Sequence, residues 1–425
     1  MPIDFLSEAK HQDNEDALSA FRNRFIVNDP DVIYLDGNSL GRLPVETPAL
    51  LNRVIDSEWG DRLIRSWNEG WYTKSLQLGK KLATLIGAKE EEVIFCDNTS
   101  QNLFKLMYGA LKHQSDRSGI VSDVYNFPSD IYILQGIRSV FKNKHKIILT
   151  GRKDAVSPDI SKLVEAIDEN TALLTLSHVL FKSSYLYNMQ EITAYAHSKG
   201  AMVLWDLSHS AGALPIYLNG CNADMAVGCS YKYLNGGPGS PAFLYVREDL
   251  QEKIESPVWG WFGEYNPFSF SLDYRPATGI RKYMTGTPPI LSLSAVEPGL
   301  DMMLEAGMDN VRRKSILQTE YLIKITKALL FPLGFTLGSP EDPEQRGSHV
   351  SLCHDEGYRI CKALIENRSG TTVVIPDFRE PDNIRLGITP LYTSFHEIYH
   401  AIDRIREIVV TEEFKRFPSE RDAVT

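Results

Sequence analysis

The sequence predicts an α/β fold: a large domain built on a mostly parallel sheet covered by helices, then a smaller C-terminal α+β domain. Three observations carry that expectation. Between about residues 70 and 250, short β-branched runs alternate with helical stretches, the pattern of a parallel sheet covered on both faces. After a glycine-, proline- and aromatic-rich stretch from Pro257 to Pro289, the rhythm changes to long helices, then strand, helix, strand, strand, helix. A chain of 425 residues with 43% hydrophobic and 24% charged side chains can fill two or three domains, and that makeup excludes disordered, collagenous and coiled-coil classes.

In chain order, the segment before about residue 50 is too short to fold alone and is expected to pack on the small domain. The chain is therefore read as 1–50, a large domain over 51–292 and a small domain over 293–425. Strands of the large sheet are expected at 93–96, in the run 119–125, and at 145–150, 171–177, 201–206, 223–230 and 241–246. Helical patterns lie between most of the earlier ones, and one of them ends in Gly200, a residue suited to the left-handed position after a helix. No repeat or low-complexity tract interrupts the pattern.

The formal charge of −10 argues against a nucleic-acid or anionic-membrane partner held by a broad basic surface, while leaving room for a local basic pocket. No apolar run approaches bilayer length and the acidic opening lacks the apolar core of a signal peptide, so a cytoplasmic protein is expected. The five cysteines form no C-x-x-C pair and read as free thiols, with no cysteine-built metal site. Nucleotide and hydrolase motifs (G-x-G-x-x-G after a strand, G-x-x-x-x-G-K-[ST], G-x-S-x-G) are absent.

One formal match is His396-Glu397-Ile398-Tyr399-His400, which spells the zinc motif H-E-x-x-H. Its helix has an apolar stripe at Phe395, Ile398, Ile402, Ile405 and Val409, which leaves both histidines on the flank with Asp403, Arg404 and Glu407. A solvated amphipathic helix is the expected reading, with a zinc protein as the remote alternative and no metal assigned.

The chemistry is concentrated in Asp206-Leu-Ser-His209 and in Ser230-Tyr231-Lys232-Tyr233. Asp206 and Ser230 each close an apolar strand, and ligands bind at the carboxyl ends of parallel strands. A carboxylate and an amine facing one crevice suit pyridoxal 5'-phosphate: the lysine forms the Schiff base and the aspartate keeps the pyridine nitrogen protonated. Alone, Asp206 would read as a turn cap or an ion-pair partner. A phosphate needs amides and hydroxyls at a helix N-terminus, where Thr99 and Ser100 stand, although ordinary N-capping would explain both. The ring needs an aromatic neighbour, for which Phe127 is the candidate and core packing the competing explanation.

Together with Asn38-Ser39-Leu40-Gly41-Arg42, Ile64-Arg65-Ser66-Trp67, Phe127-Pro128-Ser129-Asp130, Gly260-Trp261-Phe262-Gly263, Gly286-Thr287-Pro288-Pro289 and Arg385 followed by Pro390-Leu391-Tyr392, these residues resemble the kynureninase family from about residue 33 to about 410. The resemblance implies a fold type I pyridoxal-phosphate enzyme with a seven-stranded sheet. It implies that Lys232 carries the cofactor, that Asp206 pairs with the pyridinium nitrogen and that His209 supports Asp206. It further implies Phe127 on the ring, Thr99, Ser100 and Tyr231 at the phosphate, and Asp130 and Ser177 lining the cofactor. Arg385 would hold the substrate α-carboxylate, with Trp67 also at the substrate. Trp261 and Thr287 would enter from a neighbouring subunit, hence a homodimer with shared sites. Glu264, Phe181 and Ser184 depart from the usual histidine, tyrosine and glycine of the family pattern.

The implied reaction is hydrolysis of L-kynurenine, or its 3-hydroxy form, to the anthranilate and L-alanine, in tryptophan breakdown or the making of an NAD precursor. Lys232 would move the Cα proton and Tyr231 would protonate Cβ. A related aminotransferase or cysteine desulfurase is the rival; a desulfurase needs a nucleophilic cysteine on a mobile loop, and the loop 332–348 holds none.

Overall fold

A computed structural model describes residues 4–152, 155–366 and 372–420; the expected segment limits at 1 and 425 lie outside them. The N-terminal stretch carries a helix, Phe5–Asn14, and a short strand, β1 (Val32–Tyr34). The large sheet follows, with β2 (Val93–Phe95), β3 (Gly119–Asp123), β4 (Lys146–Thr150), β5 (Thr171–Ser177), β6 (Met202–Asp206), β7 (Met225–Gly228) and β8 (Phe243–Val246). Its order is β2-β8-β7-β6-β5-β3-β4. The seven strands fall within the seven expected runs, and β8 alone runs against its neighbours.

Apart from the edge strand β4, the strands are buried along their whole length because both faces are covered. In β6, Val203 and Trp205 join one core with Leu78 and Leu82 of helix Lys74–Leu85 and Ile192 of helix Met189–Ser198. Met202 and Leu204 join another with Leu103 and Leu106 of helix Thr99–His113 and Leu134 of helix Pro128–Val140. Strand pleating sends alternate side chains to opposite faces, so a two-sided cover requires both sets to be apolar.

A second, four-stranded antiparallel sheet is built from β9 (Thr336–Leu337), β10 (His349–Cys353), β12 (Asp377–Arg379) and β13 (Asn383–Gly387), in the order β12-β13-β10-β9. Between them, β11 (Val373–Ile375) pairs in parallel with β1. A third core joins these strands to helices Met308–Leu329, Gly357–Ile365 and Phe395–Val410 and includes Ala9, Ile33 and Leu35 from the N-terminal stretch. We propose the division near residue 50 on that shared core. We also propose a later second boundary than 292, near Gly307. The helix Ile290–Ala306 buries Leu293, Val296, Leu300 and Met303 in the core of the large sheet.

The H-E-x-x-H helix is amphipathic as expected. Ser394 caps it, and Glu397 closes the capping box and pairs with Arg22 at 2.7 Å, so its carboxylate is committed to the fold. His396 and His400 face one another at 3.0 Å, and no group of three metal-ligating side chains occurs among the described residues. No helix among them is long and apolar enough to cross a membrane.

Candidate active site

The carboxyl ends of β2, β3, β5, β6 and β7 and the approach to the antiparallel β8 all open on one rim. There they surround a cavity of about 520 Å³. Asp206 ends β6 and Ser177 ends β5, paired in register. Lys232 lies four residues beyond the end of β7. The strand-to-loop order thus delivers a carboxylate and an amine to one cavity, as the sequence predicted, with Thr99, Ser100, Phe127, Asp130, His209, Tyr231 and Arg385 also lining it.

The loop bearing Lys232 is held by the N-terminal stretch. Gly41 donates its N–H to the Tyr231 carbonyl at 2.8 Å, and a Cβ on Gly41 would stand 2.3 Å from the Lys232 carbonyl oxygen. Only glycine permits that approach. The Lys232 Nζ lies 3.0 Å from His209 Nε2, a contact that the sequence did not suggest. Burial, and then the charges of Lys232, Arg385 and the neighbouring His349, hold His209 well below its ordinary value, which favours its neutral form. Asp206 accepts the Ser208 N–H at 2.7 Å and meets the carboxyl of Asp130. Burial and the nearness of Asp206 push Asp130 well above the usual carboxylate range.

At the helix end, Asn98 is the N-cap and forms a capping box with Gln101. Capping therefore does not require Thr99 or Ser100, whose hydroxyls stand on the first turn beside the exposed amides at the positive end of the helix dipole. Phe127 is 41% exposed, too open for a core residue, and its ring packs edge-on against Phe181 at 5.2 Å between centroids. Tyr231 meets Cys229, and Cys229 together with burial raises its phenol above the ordinary value.

Arg385 is 1% exposed and highly connected. It pairs with Asp377 at 2.5 Å and donates to Ser39 Oγ and to the Phe181 carbonyl at 2.7 Å each, while its buried Nε lacks a protein partner. A second arginine, Arg379, also lines the cavity and donates to Asp377 at 2.7 Å. Sequence reasoning missed Arg379, Ser39, Ser240 and His349; Ser39 lay within a quoted motif, while the others carry no local pattern. Three expected residues stand outside the cavity within one chain. Trp67 packs with Trp71 and Phe262, Trp261 is 44% exposed, and Thr287 is exposed on the following loop. Ser184 adopts φ 65°, the left-handed region that explains the usual glycine.

The cavity suits pyridoxal phosphate on three separate grounds: an amine on a neutral histidine, a carboxylate pair across from it, and uncommitted hydroxyls at a helix N-terminus. Residues 311–405 match the family model of the kynureninase C-terminal domain. The kynureninase of Pseudomonas fluorescens is 44% identical over 402 residues, covering 93% of this chain and 94% of that one. The kynureninase of Burkholderia pseudomallei is 42% identical over 413 residues, covering 96% of each. Among solved structures, a mutant of C-DES with glycine covalently linked to its PLP cofactor superposes with a TM-score of 0.78 at 20% identity, covering 91% of this chain and 99% of that one. A cysteine desulfurase from Thermococcus onnurineus gives 0.73 at 22% identity, covering 90% and 95%. These two share the fold.

Proposed function

The chain belongs to the kynureninase family, and from that premise we propose how its own residues carry the hydrolysis of L-kynurenine to anthranilate and L-alanine. The single observation that carries the assignment of roles is the 3.0 Å contact between the Lys232 amine and a buried, neutral His209 within one cavity with Asp206. When bound, pyridoxal phosphate supplies the electron sink for the reaction. Lys232 would hold it covalently, Asp206, with Asp130 beside it, would pair with the ring nitrogen, and Thr99, Ser100 and the amides of their helix turn would hold the phosphate. Phe127 would cover the ring and Ser177 would close the wall. Arg385, with Arg379 nearby, orients the substrate carboxylate at the other end of the cavity.

Lys232, aimed by His209, takes the proton from the substrate Cα. Tyr231 keeps its phenolic proton at neutral pH, the state required to deliver it to Cβ once the bond to the aryl carbonyl carbon has broken. Water enters the balance once: its oxygen and one hydrogen leave in the anthranilate carboxyl group. The exposure of Trp261 and Thr287 outside their own cavity supports a homodimer in which each completes the partner's site.

The experiment is absorbance spectroscopy with anthranilate detection on wild type, Lys232→Ala and Tyr231→Phe. We expect Lys232→Ala to lose the visible band of the lysine-bound cofactor and all turnover. Tyr231→Phe should retain the band and lose turnover by at least about a hundredfold. A visible band that survives in Lys232→Ala, or full turnover in Tyr231→Phe, would overturn the respective role.

A further inference from the structure

We propose that Lys105, Asp97 and Thr285 form a buried positioning network that sets the shape of the phosphate cup, so that recognition of the cofactor phosphate depends on side chains behind the cup. The proposal rests on reading Thr99 and Ser100 as that cup.

Lys105 stands on the helix that the cup opens, and its side chain has no exposure. A buried ammonium is costly unless fully paired. Here Nζ donates to Asp97 Oδ2 at 2.6 Å and to the Tyr283 carbonyl at 2.7 Å, with the Cys96 thiol at 3.5 Å. The other carboxylate oxygen of Asp97 accepts from Thr285 Oγ1 at 2.6 Å, and its carbonyl accepts the Ala242 N–H at 2.9 Å. Asp97 is thus gripped from its own helix, from the loop 283–285 and from the approach to β8.

The grip acts where the backbone is least willing to stay. Asp97 adopts φ 49°, a left-handed conformation that is unfavourable for a non-glycine residue, and it immediately precedes Asn98. The direction in which the amides of 98–100 leave the strand is set by that one residue. Lys105 and Asp97 neutralise each other, so their effect on a bound phosphate is geometric. Without the network, Asp97 would relax toward an ordinary conformation and turn the first helical turn away from the cavity.

The test compares two vitamers on the apoenzyme: pyridoxal phosphate and pyridoxal, which also reacts with Lys232 but lacks the phosphate. Dissociation constants are measured by absorbance titration for wild type, Lys105→Met and Thr285→Val. We expect Lys105→Met to weaken pyridoxal phosphate at least about tenfold while leaving pyridoxal within about twofold, as loss of a charge-assisted bond to the cup alone requires. Thr285→Val, a milder change that keeps the ion pair, should shift the same ratio about threefold, and decides the matter if Lys105→Met does not fold. Equal weakening of both vitamers, or an unchanged ratio in Thr285→Val, overturns the network. Failure of the cup itself looks different: wild type would then bind both vitamers alike, and inorganic phosphate would not compete.

Discussion

Asp36 accepts no hydrogen bond at its buried Oδ1, lies 3.9 Å from Arg385 and shares that arginine with Asp377. Burial first, and then repulsion from Asp377, push its carboxyl up to about 6. An acid raised in the native state favours the protonated form there, so the stability it lends is present at low pH and is lost as pH rises from about 4 through about 6. Asp36→Asn should therefore melt higher than wild type at pH 7.5, by the equivalent of about 1–2 kcal/mol, with the gap closing near pH 4.5. Calorimetry at the two pH values checks it; a gap of the same size at both would show that ionisation of Asp36 is not the cause. The pairing matters to function because Arg385, tied to Asp377, Ser39 and the Phe181 carbonyl, is fixed in place before any substrate arrives.

The helix Phe395–Val410 shows how one motif can carry different chemistry in different surroundings. In a zinc site the glutamate between the two histidines would be a general base. Here Glu397 caps its own helix and reaches Arg22, while the backbone N–H groups of Phe395 and His396 donate to Asp13, so the first turn is the point where the N-terminal helix is anchored. Glu397→Ala should lower thermal stability by about 1 kcal/mol through the lost cap and ion pair, and leave turnover and resistance to chelators unchanged. Loss of activity at unchanged stability would return the zinc reading to contention.

For the whole molecule, the cavity within one chain is lined by Lys232, Arg385, Thr99 and Ser100, but not by Trp261 or Thr287. If two copies complete each other, mixing two inactive variants restores activity. A dimer of Lys232→Ala with Thr287→Ala contains one site with an intact Lys232 and an intact Thr287 from the other chain. If the sites are shared, the pair, co-expressed and reassembled, should regain about half of wild-type turnover per hybrid dimer, whereas either alone stays inactive. Analytical ultracentrifugation with the kinetic assay checks both parts. A monomer, or hybrids with no recovered activity, would place Thr287 outside the reaction.

The sequence by itself determined what local chemistry can encode. Short β-branched and apolar runs marked the seven strands, and strand ends put Asp206 and Lys232 on one rim. A helix start with a spare cap left Thr99 and Ser100 available. What only the tertiary structure decided came from segments far apart in the chain, where no short-range pattern carries information. Ser39 reaches Arg385 across 346 positions and Thr285 reaches Asp97 across 188. His209, three residues from Asp206, contacts Lys232, because β6 and β7 lie side by side and their loops turn toward each other above the same crevice. Trp67 stands in an aromatic cluster with Trp71 and Phe262, a packing choice invisible in its own motif. Strand and helix periodicity is written residue by residue, whereas a buried polar contact exists only after the chain has closed the loops that bring its partners together.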